Sequence, residues 1–252
     1  MFARLRTVLT LFACFSVFAL PGCGGSGGGG TTGNDPTVYF VNASPDAGPL
    51  DFLMNAIVRA LNLDYLGSST GFTTVPFISD ANGGYDIVTR ENGTNVELDA
   101  QNVVLNKNTH TVLVCVGLKN YAVGEELKRL RTFGINVDRK APNGNKARVY
   151  IVHGFIRELG QDTPDIIFQN AGDNPQFFTQ AITFGNSAGL LVDSGTADWW
   201  AKRSDATADV VYAAATLTLD PGSVYLVVVS GIENDPTPAL QPAITLIELP
   251  TT

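Results

Sequence analysis

Histidine and cysteine, the side chains most often used to move a proton or hold a reactive thiolate near neutral pH, are scarce: two His and three Cys in 252 residues. Three cysteines cannot supply a disulfide framework when one of them, Cys14, lies in a segment that reads as removable. Basic residues are also few, 16 against 24 acidic, for a formal net charge of −8. Without the segment carrying Arg4 and Arg6, 14 basic minus 24 acidic residues leaves −10. A chain this acidic repels phosphate backbones, so nucleic acid is not expected as a partner. Beyond the N-terminus no apolar run approaches the ~20 residues a spanning helix needs, the longest lying around Val224 to Val229. What remains is 44% hydrophobic and only 16% charged, a globular composition long enough for two cores and dependent on burial for stability.

One stretch organises the rest. Val103 to Gly117, VVLNKNTHTVLVCVG, returns without a gap 114 positions later as Leu217 to Gly231, LTLDPGSVYLVVVSG. Each copy runs from an apolar strand end through a four-residue polar turn, Asn106 to Thr109 or Asp220 to Ser223, into a strongly apolar strand closed by Gly. That pattern predicts a β-hairpin, made twice.

The N-terminus reads as an address. Arg4 and Arg6 precede an apolar run from Val8 to Leu20, which suits a secretory signal segment. Leu20-Pro21-Gly22-Cys23 then resembles a bacterial lipobox, in which the Cys is lipidated and becomes the new N-terminus; Pro21 stands where that pattern prefers Ala or Ser. An ordinary signal peptide with an incidental Cys23 is the alternative. Several acyl chains on one residue would anchor the protein far better than one. The following Gly24 to Gly33, GGSGGGGTTG, has little to bury and predicts a flexible tether.

In the first half, Val38 to Val41, Asp51 to Met54, Ile57 to Leu66, Phe72 to Ile78, Tyr85 to Thr89, Val96 to Leu105, Thr111 to Val116 and Leu127 to Phe133 read as short strands separated by Gly, Asn and Asp turns. No long 3.6-residue periodicity competes with them. After a polar joint, Asp138 to Lys146, the strand Arg148 to Val152 mirrors Val38 to Val41 at an offset of 111, and Pro164 to Ala171 parallels Pro49 to Ala56. The expected fold is therefore all-β: two tandem antiparallel β-sandwich (Ig-like) domains at 36–140 and 141–252, after a signal peptide at 1–22 and a tether at 23–35.

Val41-Asn42-Ala43-Ser44-Pro45-Asp46-Ala47 resembles the opening motif of the DUF4397 family, and Pro142-Asn143-Gly144 with Ala147 to His153 resembles its inter-repeat signature. The second copy departs, having Gly154-Phe155-Ile156-Arg157 where Ala-Ser-Pro-Asp would stand. The resemblance implies a secreted or surface-anchored bacterial module, often in tandem, and brings no catalytic residues.

Candidate chemistry is sparse. Gly185-Asn186-Ser187-Ala188-Gly189 matches the G-x-S-x-G elbow of serine hydrolases, with His153 as a possible base, but no helical pattern follows it. Gly67 to Gly71 carries the same motif in the first half, so a turn explains both. His110 aligns with Val224, His153 with Asn42 and Cys115 with Val229, which favours architectural roles for all three. Asp46, Asp51, Asp162 and Asp165 crowd equivalent loops and could hold Ca²⁺, or Asn42, Ser44 and Asp46 could satisfy loop backbone; the D-x-D-x-D spacing of a calcium loop is missing. Trp199 and Trp200 should point to opposite faces of a strand, one ring free to stack on a sugar or to anchor a partner. Trp199, Trp200, Asp46 and Asp51 are the candidate ligand residues and Cys23 the lipidation site, with no catalytic residue, metal or cofactor expected. The functional expectation is a non-enzymatic envelope lipoprotein that contacts the membrane through its anchor and binds a protein or polysaccharide. A serine hydrolase using Ser187 with His153 is the rival.

Overall fold

Short runs of Val, Ile, Thr, Tyr and Phe, each stopped by Gly, Asn or Pro, build a structure of strands joined by turns. The computed structural model describes residues 33–79, 83–158, 161–171, 175–204 and 210–252. The expected signal segment, Cys23 and the expected tether up to residue 32 lie outside the described residues; residues 33–35 of that expected tether lie inside them, with Asn34 O accepting Asn108 N–H and Asp35 Oδ1 accepting Phe77 N–H. In chain order the strands are β1 (Thr37–Asn42), β2 (Leu50–Met54), β3 (Ile57–Leu63), β4 (Thr73–Thr74), β5 (Tyr85–Glu91), β6 (Glu97–Val103), β7 (His110–Val116), β8 (Arg131–Val137), β9 (Lys146–Ile156), β10 (Ile166–Asn170), β11 (Ser187–Asp193), β12 (Gly195–Arg203), β13 (Val211–Leu219), β14 (Val224–Ile232) and β15 (Ala243–Leu249). No described helix is long and apolar enough to cross a membrane.

The strands form four sheets, ordered β3-β2-β5-β6 and β4-β1-β7-β8 in the first half, and β11-β9-β14-β15 and β10-β12-β13 in the second. The all-β sandwich expected from sequence is what forms, and nearly all pairings are antiparallel. One pairing in each half runs the other way: β1 lies parallel to β7, and β9 parallel to β14. The two registers are copies. Asn42 faces Cys115 and His153 faces Val229, so both partners shift by the offsets read from the sequence.

Alternation along the central strands shows why they are so apolar. Phe40, Leu113 and Cys115 point into the core of the first sandwich against Phe52, Met54 and Ile87. Their neighbours Tyr39, Val41, Val112, Val114 and Val116 point the other way, against Val152, Val224, Leu226 and Val228 of the second half. Tyr225, Val227 and Val229 close the second sandwich over Phe168, Trp199 and Leu217. The layers thus run outer sheet, inner sheet, inner sheet, outer sheet, with three cores between them. A strand buried on both faces reads as an unbroken apolar run, not an alternating one.

The two predicted hairpins are not hairpins. β6 and β7 belong to different sheets, as do β13 and β14, so each polar turn carries the chain from the outer sheet to the inner one. The turns themselves close as expected, Thr109 N–H donating to Asn106 O and Ser223 N–H to Asp220 O. A turn cannot specify which sheet its second strand joins; the apolar runs go where both of their faces are buried. The terminal glycines have a shared reason: Gly117 (φ 96°) and Gly231 (φ 110°) adopt a left-handed backbone, and a β-carbon there would strike the carbonyl of Arg129 or Gln241.

Two strand expectations shift. Leu127 to Phe133 becomes β8 at Arg131–Val137, because Glu126–Lys128 forms a 3-10 turn that tucks Lys128 under Glu125. Of Phe72 to Ile78 only Thr73–Thr74 pairs, beside Pro76, which has no N–H to donate.

Candidate functional site

Ser187 opens β11 opposite Val152 of β9. Paired residues share a face, so Ser187 lies on the side of Val152, whereas His153, one position on, projects to the opposite side. Ser187 is exposed and His153 fully buried. The His153 ring stacks on Phe155 and meets Phe184 edge-on, and its Nε2–H donates to Pro164 O at 3.0 Å. Burial pushes its pKa down to about 4, with the Arg131 charge acting in the same direction. The sheet therefore separates the serine from the imidazole that would have to activate it.

The motif's first glycine has another use. Gly185 sits at φ 71°, and a β-carbon there would overlap the guanidinium of Arg131, which donates to Phe184 O and lies over the Phe184 ring. Backbone bonding makes Ser187 equivalent to Ser68, not Ser69: Asn42 N–H donates to Gly67 O, as His153 N–H does to Asn186 O.

The polar residues of the NASPDA stretch bind their own chain. Asn42 Nδ2 donates to Gly48 O and Leu63 O, and Ser44 Oγ to Gly117 O. Asp46 accepts Lys119 N–H on one oxygen and Asn120 N–H on the other. Asp51 is buried and accepts Asn62 N–H, Asn92 Nδ2 and Gly93 N–H. Burial alone would raise its pKa, but those hydrogen bonds and the Arg90 charge outweigh it, and the net shift is downward. Among the described residues no three His, Cys, Asp or Glu side chains gather as metal ligands. Asp162 and Asp165 line a different place, a cleft of about 580 Å³ where the Glu125–Lys128 turn of the first half meets Thr183 and Phe184 of the second.

Cys115 is completely buried and its thiol pKa is raised, chiefly by burial. His110 Nδ1 shares a 2.7 Å hydrogen bond with Thr37 Oγ1, and burial followed by the Arg139 charge lowers its pKa. Trp199 and Trp200 divide as strand geometry requires. Trp199 is 3% exposed and stacks on Phe168 at 5.1 Å; Trp200 is half-buried on the outer face, with Lys202 Nζ 4.7 Å from its ring centre.

Sequence reading missed the contacts that join the halves: Arg131 with Phe184 and Gly185, and Tyr65 Oη with Ser230 Oγ at 2.9 Å. Each pair is far apart in the chain and carries no local signature; the glycine at 185 had already been accounted for by its turn, which Asn186 N–H closes onto Thr183 O.

Residues 36–156 match the family described as domain of unknown function DUF4397, so the chain carries a DUF4397 domain there. No curated protein matches the chain. Among solved structures, a candidate cell-adhesion protein from Bacteroides ovatus is similar at 9% identity, over 85% of this chain and 95% of that one, with a TM-score of 0.22.

Proposed function

We propose that this chain is an exported bacterial lipoprotein, anchored through lipid on Cys23 at the outer membrane or cell surface, that works there without catalysis as a binding or structural module for a protein or polysaccharide. The carrying observation is the placement of Ser187 and His153 on opposite faces of one sheet, with the imidazole in the core. Support also comes from His110, Cys115, Asp46 and Asp51, each engaged in packing or in bonds to its own backbone. The lipobox-like Leu20 to Cys23 and the glycine tether supply the address.

Two measurements test the reading. Labelled palmitate should enter the wild type and not Cys23→Ala, which should also leave the membrane fraction; equal labelling of the two sinks the anchor. A fluorophosphonate probe should not label the protein. Labelling that Ser187→Ala abolishes would establish the hydrolase instead.

A further inference from the structure

We infer that Asn143, in the joint between the two halves, is a site of spontaneous deamidation in the folded protein, whereas Asn92, with the same glycine after it, is held against that reaction by Asp51. The inference is independent of the binding role proposed above.

In this reaction the backbone nitrogen of the following residue attacks the asparagine Cγ. A new C–N bond forms, the Cγ–Nδ2 bond breaks, and ammonia leaves with the proton that the backbone nitrogen gives up, so that a five-membered succinimide remains. Water then opens the ring at either carbonyl. One opening gives aspartate; the other gives isoaspartate, whose main chain runs through the side chain and is longer by a methylene. Glycine favours the attack because no β-carbon blocks the approach and its backbone turns freely. A backbone N–H held by an acceptor, or a side-chain amide held in place, opposes it.

The chain places Gly after Asn at 82, 92 and 143, and Asn82 lies outside the described residues. The other two make an internal comparison. Gly93 and Gly144 share a φ of 69°, and neither has an atom within 4 Å of where a β-carbon would sit. Local backbone and free space therefore do not separate them. Hydrogen bonding does. Asp51 Oδ1 accepts Asn92 Nδ2 at 2.8 Å, and its Oδ2 accepts Gly93 N–H at 3.3 Å. Asp51 is itself 3% exposed on β2 and is fixed by Asn62 N–H, and Asn92 N–H donates to Pro49 O at 3.0 Å. For Gly93 N to reach the Asn92 Cγ, the nucleophile and the leaving amide must both break away from one buried carboxylate.

Nothing of the kind restrains the joint. Asn143 and Gly144 are exposed, and among the described residues no hydrogen bond engages the Asn143 side chain or the Gly144 N–H. Backbone bonding resumes at Asn145, whose carbonyl accepts Ser194 N–H. Each conversion adds a negative charge to the joint, and the isoaspartate form also lengthens the main chain between β8 and β9.

The purified protein, aged in mildly alkaline buffer and mapped by tryptic digestion and mass spectrometry, tests the assignment. The peptide Ala141 to Lys146 should gain the mass of an amide-to-acid change, split into two isomers on chromatography, and fragment with the change at Asn143. Conversion at Asn92 should be at least several-fold slower. In urea, which releases Asp51 from both groups, the two sites should convert at similar rates. Asp51→Ala should let Asn92 convert in the folded protein, and if that variant fails to fold the urea comparison decides alone. Asn143 still intact when the unfolded chain has converted, or Asn92 converting as fast as Asn143 in the folded protein, overturns the inference. A difference that persists in urea, or slow conversion of Asn92 in folded Asp51→Ala, would show that Asp51 is not the cause.

Discussion

The guanidinium of Arg131, in the first half of the chain, occupies the space that a β-carbon on Gly185, in the second half, would need. Phe184 holds it there through its carbonyl and its ring face. The residue with the same backbone bond in the first half is Leu66: its N–H donates to Asn42 O as Gly185 N–H does to His153 O, and it too has a positive φ, 63°. That conformation therefore tolerates a side chain where no guanidinium competes.

Gly185→Ala should destabilise the fold by about 1–3 kcal/mol, from left-handed backbone strain together with displacement of Arg131. Urea titration measures it. In a double-mutant cycle, Arg131→Ala should make the glycine substitution cheaper. Strict additivity of the two would show that the contact is not the cause.

The core between the inner sheets predicts that both halves unfold together. Leu226→Ala, deep in that core, should lose about 2–5 kcal/mol. Tryptophan fluorescence, which reports the second half, and far-ultraviolet circular dichroism, which reports both, should give coincident transitions. Two separated transitions would mean that the halves are energetically independent.

Acid should weaken the fold before its carboxylates titrate. The His153 pKa is about 4 when folded, against about 6.5 for an unperturbed imidazole, so the unfolded chain binds the proton that the native core refuses. Its contribution is fully present above about pH 6.5 and falls away as pH drops toward 4, by an amount on the order of 3 kcal/mol. His110, less buried and shifted the same way, adds a smaller loss in the same window. Asp51, with its pKa lowered, loses stability only at more acidic pH. Denaturation midpoints between pH 4 and 7 should flatten in His153→Asn, which borrows the residue found at the matching position of the first half. An unchanged slope would place the titration elsewhere.

Cys115 should resist alkylation in the native protein and react once it is unfolded, because burial holds its thiol protonated and out of reach. Mass spectrometry of the peptide containing Cys115 after iodoacetamide treatment reads this directly; rapid native labelling would contradict its place in the core.

Strand content and the offsets by which the β1–β7 and β9–β14 registers correspond were legible in the chain, because pleated-sheet propensity and turn chemistry act over a few residues. Asn42, Ser44 and Asp46 were readable as backbone-satisfying groups by type, and Asn42 Nδ2 does reach nearby Gly48 O; the partners of Ser44 and Asp46, Gly117 O and Lys119 N–H, lie 73 residues away and had no local signal. The small cleft lined by Asn170, Phe177, Asp193 and Trp199 was not visible, since these residues meet only when three strand ends converge.

Local rules produced the turns at Asn106 to Thr109 and Asp220 to Ser223, and the apolarity of the strands that follow them. They left open whether those strands fold back on their neighbours or cross to another sheet. Packing made the choice: Val112, Val114, Leu226 and Val228 escape water only if the two inner sheets face one another. That same face-to-face arrangement brought Arg131 onto Phe184, while the in-sheet registers laid β1 parallel to β7 and, through the pairing of Ser187 with Val152, put a sheet between Ser187 and His153. Burial is a property of the whole assembly, so no window of sequence contained those outcomes.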